Sequence, residues 1–135
     1  MTEPTLLHTI QDGVAVVTLN RPHAMNSMNS QMRMEMHALF PKLDLDDNVR
    51  VIVLTGAGDK AFCSGADLKE RAARTTGAMV HDRLNFVAKW TTLVSSMRKP
   101  VIAAIKGYCM AGGYELVLQC DISIASDDEI GRAHV

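Results

Sequence analysis

Two short segments of this 135-residue chain have the composition of ligand-binding turns. One is Ala61-Phe62-Cys63-Ser64-Gly65-Ala66-Asp67-Leu68, a run of small residues between a strand pattern and a helix pattern. The other is Ile105-Lys106-Gly107-Tyr108-Cys109-Met110-Ala111-Gly112-Gly113-Tyr114-Glu115, in the same strand-to-helix setting. Glycine and alanine leave backbone N–H groups open to a close-approaching oxygen, and the helix that follows adds the positive end of its dipole. Two such N–H groups converging on one carbonyl make an oxyanion hole. Glu115, three residues beyond Gly112, supplies a carboxylate that could give or take a proton there. Tight packing explains either turn alone. The pair, with a carboxylate at one of them, points to chemistry.

Other motifs carry less. Gly56-Ala57-Gly58-Asp59-Lys60-Ala61 matches a dinucleotide fingerprint, but poor helix formers follow it. The acid required about 20 residues on is replaced by Thr76, Gly77 and Ala78. The nucleophile elbow fails because Phe62 stands where its first glycine belongs. Cys63, Cys109 and Cys120 form no C-x-x-C spacing, so they read as small buried side chains, with no disulfide framework and no metal site. Cys63 has no base nearby in sequence to make it a nucleophile.

Composition narrows the class. The chain is 47% hydrophobic and 21% charged, which excludes a disordered segment and a disulfide-held mini-protein. Its 14 basic and 15 acidic residues give a formal charge of −1, no footprint for nucleic acid or an anionic membrane. No apolar run reaches the roughly 18 residues of a membrane helix. The first residues lack a signal peptide's basic and apolar regions. The expectation is a soluble, cytoplasmic protein with neither nucleic-acid nor membrane partners.

The elements that must position the turns follow from periodicity. Leu6–Ile10 and Val14–Leu19 flank Gln11-Asp12-Gly13, a hairpin signal. Met25, Met28, Met32, Met36, Leu39 and Leu43 form one apolar helical stripe, with Pro41 expected to distort its last turn. Residues 49–55 predict a buried strand, 67–73 a short helix and 75–77 a loop. Leu84, Val87, Trp90, Val94 and Met97 outline a second long helix that Lys99-Pro100 ends. Val101–Ile105 predicts a strand, 113–119 a short helix and Ile122–Ala125 a last strand. Strands alternating with helices imply an α/β protein of crossover units.

Read together, these segments resemble the crotonase, or enoyl-CoA hydratase/isomerase, superfamily. The residues that carry the likeness are Asn20-Arg21-Pro22 with Asn26, Ala61 to Glu70, Lys99 to Gly107, Ala111 to Leu116, and Cys120-Asp121-Ile122. They stand in the family's order and spacing from residue 20 to about 128. The resemblance implies a spiral of ββα units and an acyl-CoA thioester as ligand, with no separate cofactor. It implies that the N–H groups of Ala66 and Gly112 hold the thioester oxygen. Ser64, Gly65, Ala66, Asp67, Leu68, Gly112 and Ala24 would bind the substrate, and Glu115 would be the catalytic acid/base. The shared chemistry is stabilisation of a thioester enolate, and hydration of a 2-enoyl-CoA is the foremost expectation. Isomerisation of the enoyl bond is the alternative within the enzyme class.

Two departures from the pattern matter. The segment that holds a second catalytic glutamate in related hydratases corresponds to Ile130-Gly131-Arg132-Ala133-His134-Val135. Alignment on the glycine puts His134 at that place, and an ungapped count puts Val135 there. His134 is a candidate substitute, since histidine does acid–base work near neutral pH. His23 stands where the family often has a lysine facing the CoA phosphates; His8, His37 and His81 read as surface residues. Family members are roughly twice as long. Residues 1–135 are therefore expected to be the N-terminal half of one crotonase-like domain, truncated before the C-terminal helical part. The homotrimer or dimer of trimers implied for the family would depend on the absent half, and apolar surface should be exposed. A non-catalytic remnant that only binds acyl-CoA, or an inactive fragment, is the expectation from the other class.

Overall fold

The computed structural model of the chain describes residues 3–82, 88–127 and 130–132. The chain opens with a hairpin of β1 (Leu6–Gln11) and β2 (Val14–Leu19), paired antiparallel from Leu6↔Leu19 to Gln11↔Val14. Asp12 and Gly13 both take positive φ, 53° and 82°, as a two-residue primed turn requires. A single 3-10 turn at Pro22–Ala24 leads to helix α1 (Ser30–Leu45), capped by the Asn29 side chain, which accepts from the Met32 N–H.

The helix starts later than the methionine stripe suggests. Met25 and Asn26 take φ of 52° and 55°, incompatible with a helix, so Met25 and Met28 belong to the approach. The buried face is Met32, Met36, Phe40 and Leu43; Leu39 only packs against the core from its rim. Pro41 does not end the helix, which continues to Leu45.

The remaining elements repeat one pattern of strand, short strand, helix. β3 (Val51–Gly56) leads to β4 (Ala61–Cys63) and α2 (Leu68–Ala72). Helices α3 (Thr76–Asp82) and α4 (Ala88–Leu93) follow. β5 (Val101–Ile105) leads to β6 (Tyr108–Met110) and α5 (Gly112–Gln119), and β7 (Ile122–Ala125) leads to β8 (Ile130–Arg132). The long strands form one sheet ordered β1-β2-β3-β5-β7, parallel after the hairpin. The short strands form a second, all-parallel sheet ordered β4-β6-β8.

The chain thus winds into a spiral of ββα units, as the resemblance implies. Each turn adds one strand to each sheet, and α1 covers the core formed by Leu19, Ile52, Leu54, Phe62 and Val101. Two expectations are corrected. Thr76 and Gly77, expected in a loop, begin α3 instead, because the Thr75 Oγ1 caps the turn by accepting from the Ala78 N–H at 3.2 Å. The turns at 61–63 and 108–110 contain strands, each too short to show a period of two. The open edge of β7 leaves Ile122 and Ile124 exposed, in line with the apolar surface expected.

Candidate active site

Buried Asn26 holds the approach to the site. Its Oδ1 accepts from the Arg21 N–H at 2.9 Å, and its Nδ2 donates to the Ala57 and Ala61 carbonyls at 3.0 and 2.8 Å. This amide ties the loop after β2 to both ends of the β3–β4 connection. The Arg21 guanidinium donates to the Ser27 carbonyl and hydroxyl and pairs with Asp67 at 3.0 Å. Asp67 also caps α2, accepting from the Lys69 and Glu70 N–H groups. The Glu70 N–H, with the Arg21 guanidinium, holds the Asp67 carboxyl below its usual range. Asp67 is therefore a positioning residue, its carboxylate already occupied by protein donors.

The first turn is fixed by Met28. The Met28 N–H donates to the Gly65 carbonyl at 2.7 Å, and the Asp67 N–H donates to the Met28 carbonyl at 3.0 Å. In such a parallel bridge the intervening residue, Ala66, points its own N–H and C=O the other way. The second turn ends at Ala111, whose φ of 48° and ψ of −120° suit glycine far better than alanine. A backbone held there stores about 1–3 kcal/mol of strain. It delivers Gly112 as the first residue of α5, with the helix N-terminus at its N–H.

The two turns meet backbone to backbone. Gly65 has φ of +105°, and a Cβ on it would lie 3.0 Å from the Ala111 Cβ and 3.2 Å from the Gly112 N. A Cβ on Gly112 would lie 3.8 Å from the Ala66 N. Among the described residues, neither the Ala66 N–H nor the Gly112 N–H has a hydrogen-bond partner.

A cleft of about 600 Å³ opens over this junction. Met28, Ser64, Ala66, Ala111 and Gly112 form its floor, and Glu115 of α5 reaches it from the first helical turn. Asp67, Leu68, Glu70, Arg71 and Arg74 form one side, with Leu68 72% exposed. Arg33, Met79 and Trp90 close it from α1, α3 and α4. Glu70 Oε2 accepts from the Ser30 N–H at 2.9 Å, tying α2 to the start of α1.

The sequence-derived set therefore assembles in large part. Ser64, Ala66, Asp67, Leu68, Gly112 and Glu115 all line the cleft, and buried Gly65 packs beneath them. Ala24, in the 3-10 turn, is not among the described residues lining it. His134 and Val135 lie outside the described residues. His37 is half-buried rather than on the surface, its Nδ1 2.8 Å from the Arg33 carbonyl. Burial pushes the Cys63 thiol up to about 11, which argues against a nucleophile. Arg33 and Trp90 are additions. The sequence offered one signal for Arg33, a charge set immediately after Met32 of the buried stripe.

Comparison with known proteins gives the family. The family model described as enoyl-CoA hydratase/isomerase matches residues 9–131. A protein of Mycobacterium bovis named as a probable enoyl-CoA hydratase is 42% identical over 128 residues, covering 94% of this chain and 48% of its own. The crystal structure of an enoyl-CoA hydratase from Bacillus anthracis superposes with a TM-score of 0.86 at 36% identity, over 93% of this chain and 48% of that one. One from Thermoplasma volcanium gives 0.86 at 32% identity, over 96% and 52%. The chain spans about half the length of the curated relatives it matches. Among the described residues, no helix is long and apolar enough to cross a membrane.

Proposed function

This chain belongs to the enoyl-CoA hydratase/isomerase family, and we propose that it holds the thioester carbonyl of an acyl-CoA on the Ala66 and Gly112 N–H groups. The observation that carries this is the meeting of two unpartnered N–H groups at the floor of a cleft that Glu115 also lines. When a thioester loses an α-proton, or its enoyl bond gains a nucleophile at C3, the electron pair released passes to the carbonyl oxygen as negative charge. Donors fixed there stabilise the transition state more than the ground state. The strain at Ala111 is spent before the substrate arrives, so little reorganisation remains for the reaction.

Water addition to a 2-enoyl-CoA is the reaction this arrangement supports best. Water attacks C3, the enolate forms on the held oxygen, and a proton reaches C2. Glu115 positions or deprotonates the water. A second reading, proton transfer along the enoyl chain, draws support from the carboxylate census. Asp67 and Glu70 are engaged by protein donors, which leaves Glu115 as the one cleft carboxylate without a partner among the described residues. A single carboxylate suffices to carry a proton from one carbon to another.

Hydration is tested by following loss of the conjugated enoyl absorbance of a short 2-enoyl-CoA. Gly112→Pro deletes one donor at a first helical position, where proline is tolerated. It should slow turnover about 10²–10³-fold. Glu115→Gln should cost a comparable factor. Binding without turnover in the unsubstituted protein would favour the acyl-CoA-binding remnant instead, and unchanged turnover in Gly112→Pro would refute the oxyanion assignment.

A further inference from the structure

The wall of the cleft beside the two donor turns carries charge that a hydrocarbon tail does not need: three arginines and three carboxylates line it. The arginines are Arg33 on α1, Arg71 on α2 and Arg74 just after α2. Of the carboxylates there, Asp67 is paired with Arg21, Glu70 accepts from the Ser30 N–H, and Glu115 stands on α5, in the unit that carries Gly112. Arg74 donates to the Ser30 Oγ at 3.5 Å. Arg71 is exposed and lines the cleft, and its guanidinium has no hydrogen-bond or ion-pair partner among the described residues. A guanidinium offers a planar fork of donors that matches a carboxylate.

Resting on the acyl-CoA reading above, we propose that the acyl group taken by this cleft carries its own carboxylate, held by the arginine wall with Arg71 as the anchor. Arg71 lies on α2, the helix that follows the Ala66 turn, and lines the same cleft as Ala66 and Gly112. A carboxylate at the end of a short acyl group would lie in that same cleft. The phosphates of CoA lie at the far end of the pantetheine arm.

Calorimetric titration with three ligands tests this: trans-glutaconyl-CoA, trans-2-pentenoyl-CoA, in which a methyl group replaces the carboxylate, and free CoA. Glutaconyl-CoA should bind about tenfold more tightly than pentenoyl-CoA, the worth of one charge-assisted hydrogen bond. The ratio should fall towards one in Arg71→Gln and be kept in part by Arg71→Lys. Equal binding of the two acyl-CoAs by the unsubstituted protein overturns this proposal and leaves the acyl-CoA reading standing. An equal loss of free CoA binding in Arg71→Gln overturns it too, by assigning the arginine to a CoA phosphate. Failure of all three ligands to bind overturns the acyl-CoA reading, and this proposal with it.

Discussion

Gly112 and Gly113 are adjacent, yet alanine at the two positions should have opposite consequences. A Cβ on Gly112 would come 3.0 Å from the Met28 Cε, the free end of a flexible side chain. A few tenths of an ångström of movement relieves that contact, and alanine gains about 1 kcal/mol of helix propensity over glycine. Gly112→Ala should therefore stay within about 1 kcal/mol of the parent. A Cβ on Gly113 would lie 2.8 Å from the Cys63 Cβ and 2.9 Å from its carbonyl carbon, and closer still to the carbonyl oxygen. Carbon atoms pack at about 3.5 Å or more, so α5 must retreat from β4 by at least about 0.7 Å. Overpacking a fixed backbone costs about 1–3 kcal/mol, which the propensity gain offsets only in part. Thermal unfolding should show Gly113→Ala melting several degrees below Gly112→Ala. The same retreat carries the Gly112 N–H and Glu115 away from Ala66, so Gly113→Ala should also slow turnover. Coincident melting curves for the two variants would refute the packing argument.

Two further outcomes follow from the residues that hold the site. Asn26→Asp keeps the shape of the buried side chain but sets an oxygen against the Ala57 and Ala61 carbonyls. It should lower stability by about 3 kcal/mol or more, read as a shift in the urea midpoint; an unmoved midpoint contradicts the assigned hydrogen bonds. Asp67 has a folded-state pKa below its unfolded value of about 3.9, so its stabilisation is complete above that pH and fades as pH falls through the lowered value. Urea midpoints should therefore fall less steeply on acidification in Asp67→Asn than in the parent, and parallel pH profiles would dismiss the Arg21 and α2 contacts as stabilising.

Much of the frame is legible in the sequence because its signals are local. The Asp12-Gly13 turn, the apolar runs of β3 and β5 and the small residues before α2 and α5 each name their structure without reference to distant contacts. What escapes has a tertiary cause. Strands β4 and β6 have three residues each and exist because they pair with one another, not because of a period. The approach to α1 is held out of the helix at Asn26, whose side chain is recruited by carbonyls 31 and 35 residues away. The turn residues of the site were legible as a pair, since glycine and alanine announce close backbone approach. The arginine wall was not, because a charged residue on a helix reads as solvated until a neighbouring helix makes a cleft of its surface.

The same repeat explains why the two donors coincide. β4 and β6 are parallel neighbours, and their register sets Cys63 beside Cys109. From each cysteine the chain runs three residues further, to Ala66 in one unit and Gly112 in the next, and a helix begins at or just beyond that point. Ala66 and Gly112 are thus equivalent positions of successive ββα units, brought together by the strand spacing of about 4.8 Å. Equivalence alone would orient the two N–H groups alike along the sheet. The differences between the units correct this: Met28 bridges the first turn and turns Ala66 outward, while the strained backbone of Ala111 re-aims Gly112 in the second. Each unit supplies one donor, and neither forms the pair alone. The site is therefore a property of the junction between turns of the spiral, which is why residues that only hold that junction, Asn26, Asp67 and Gly113, should bear on turnover as surely as those that face the ligand.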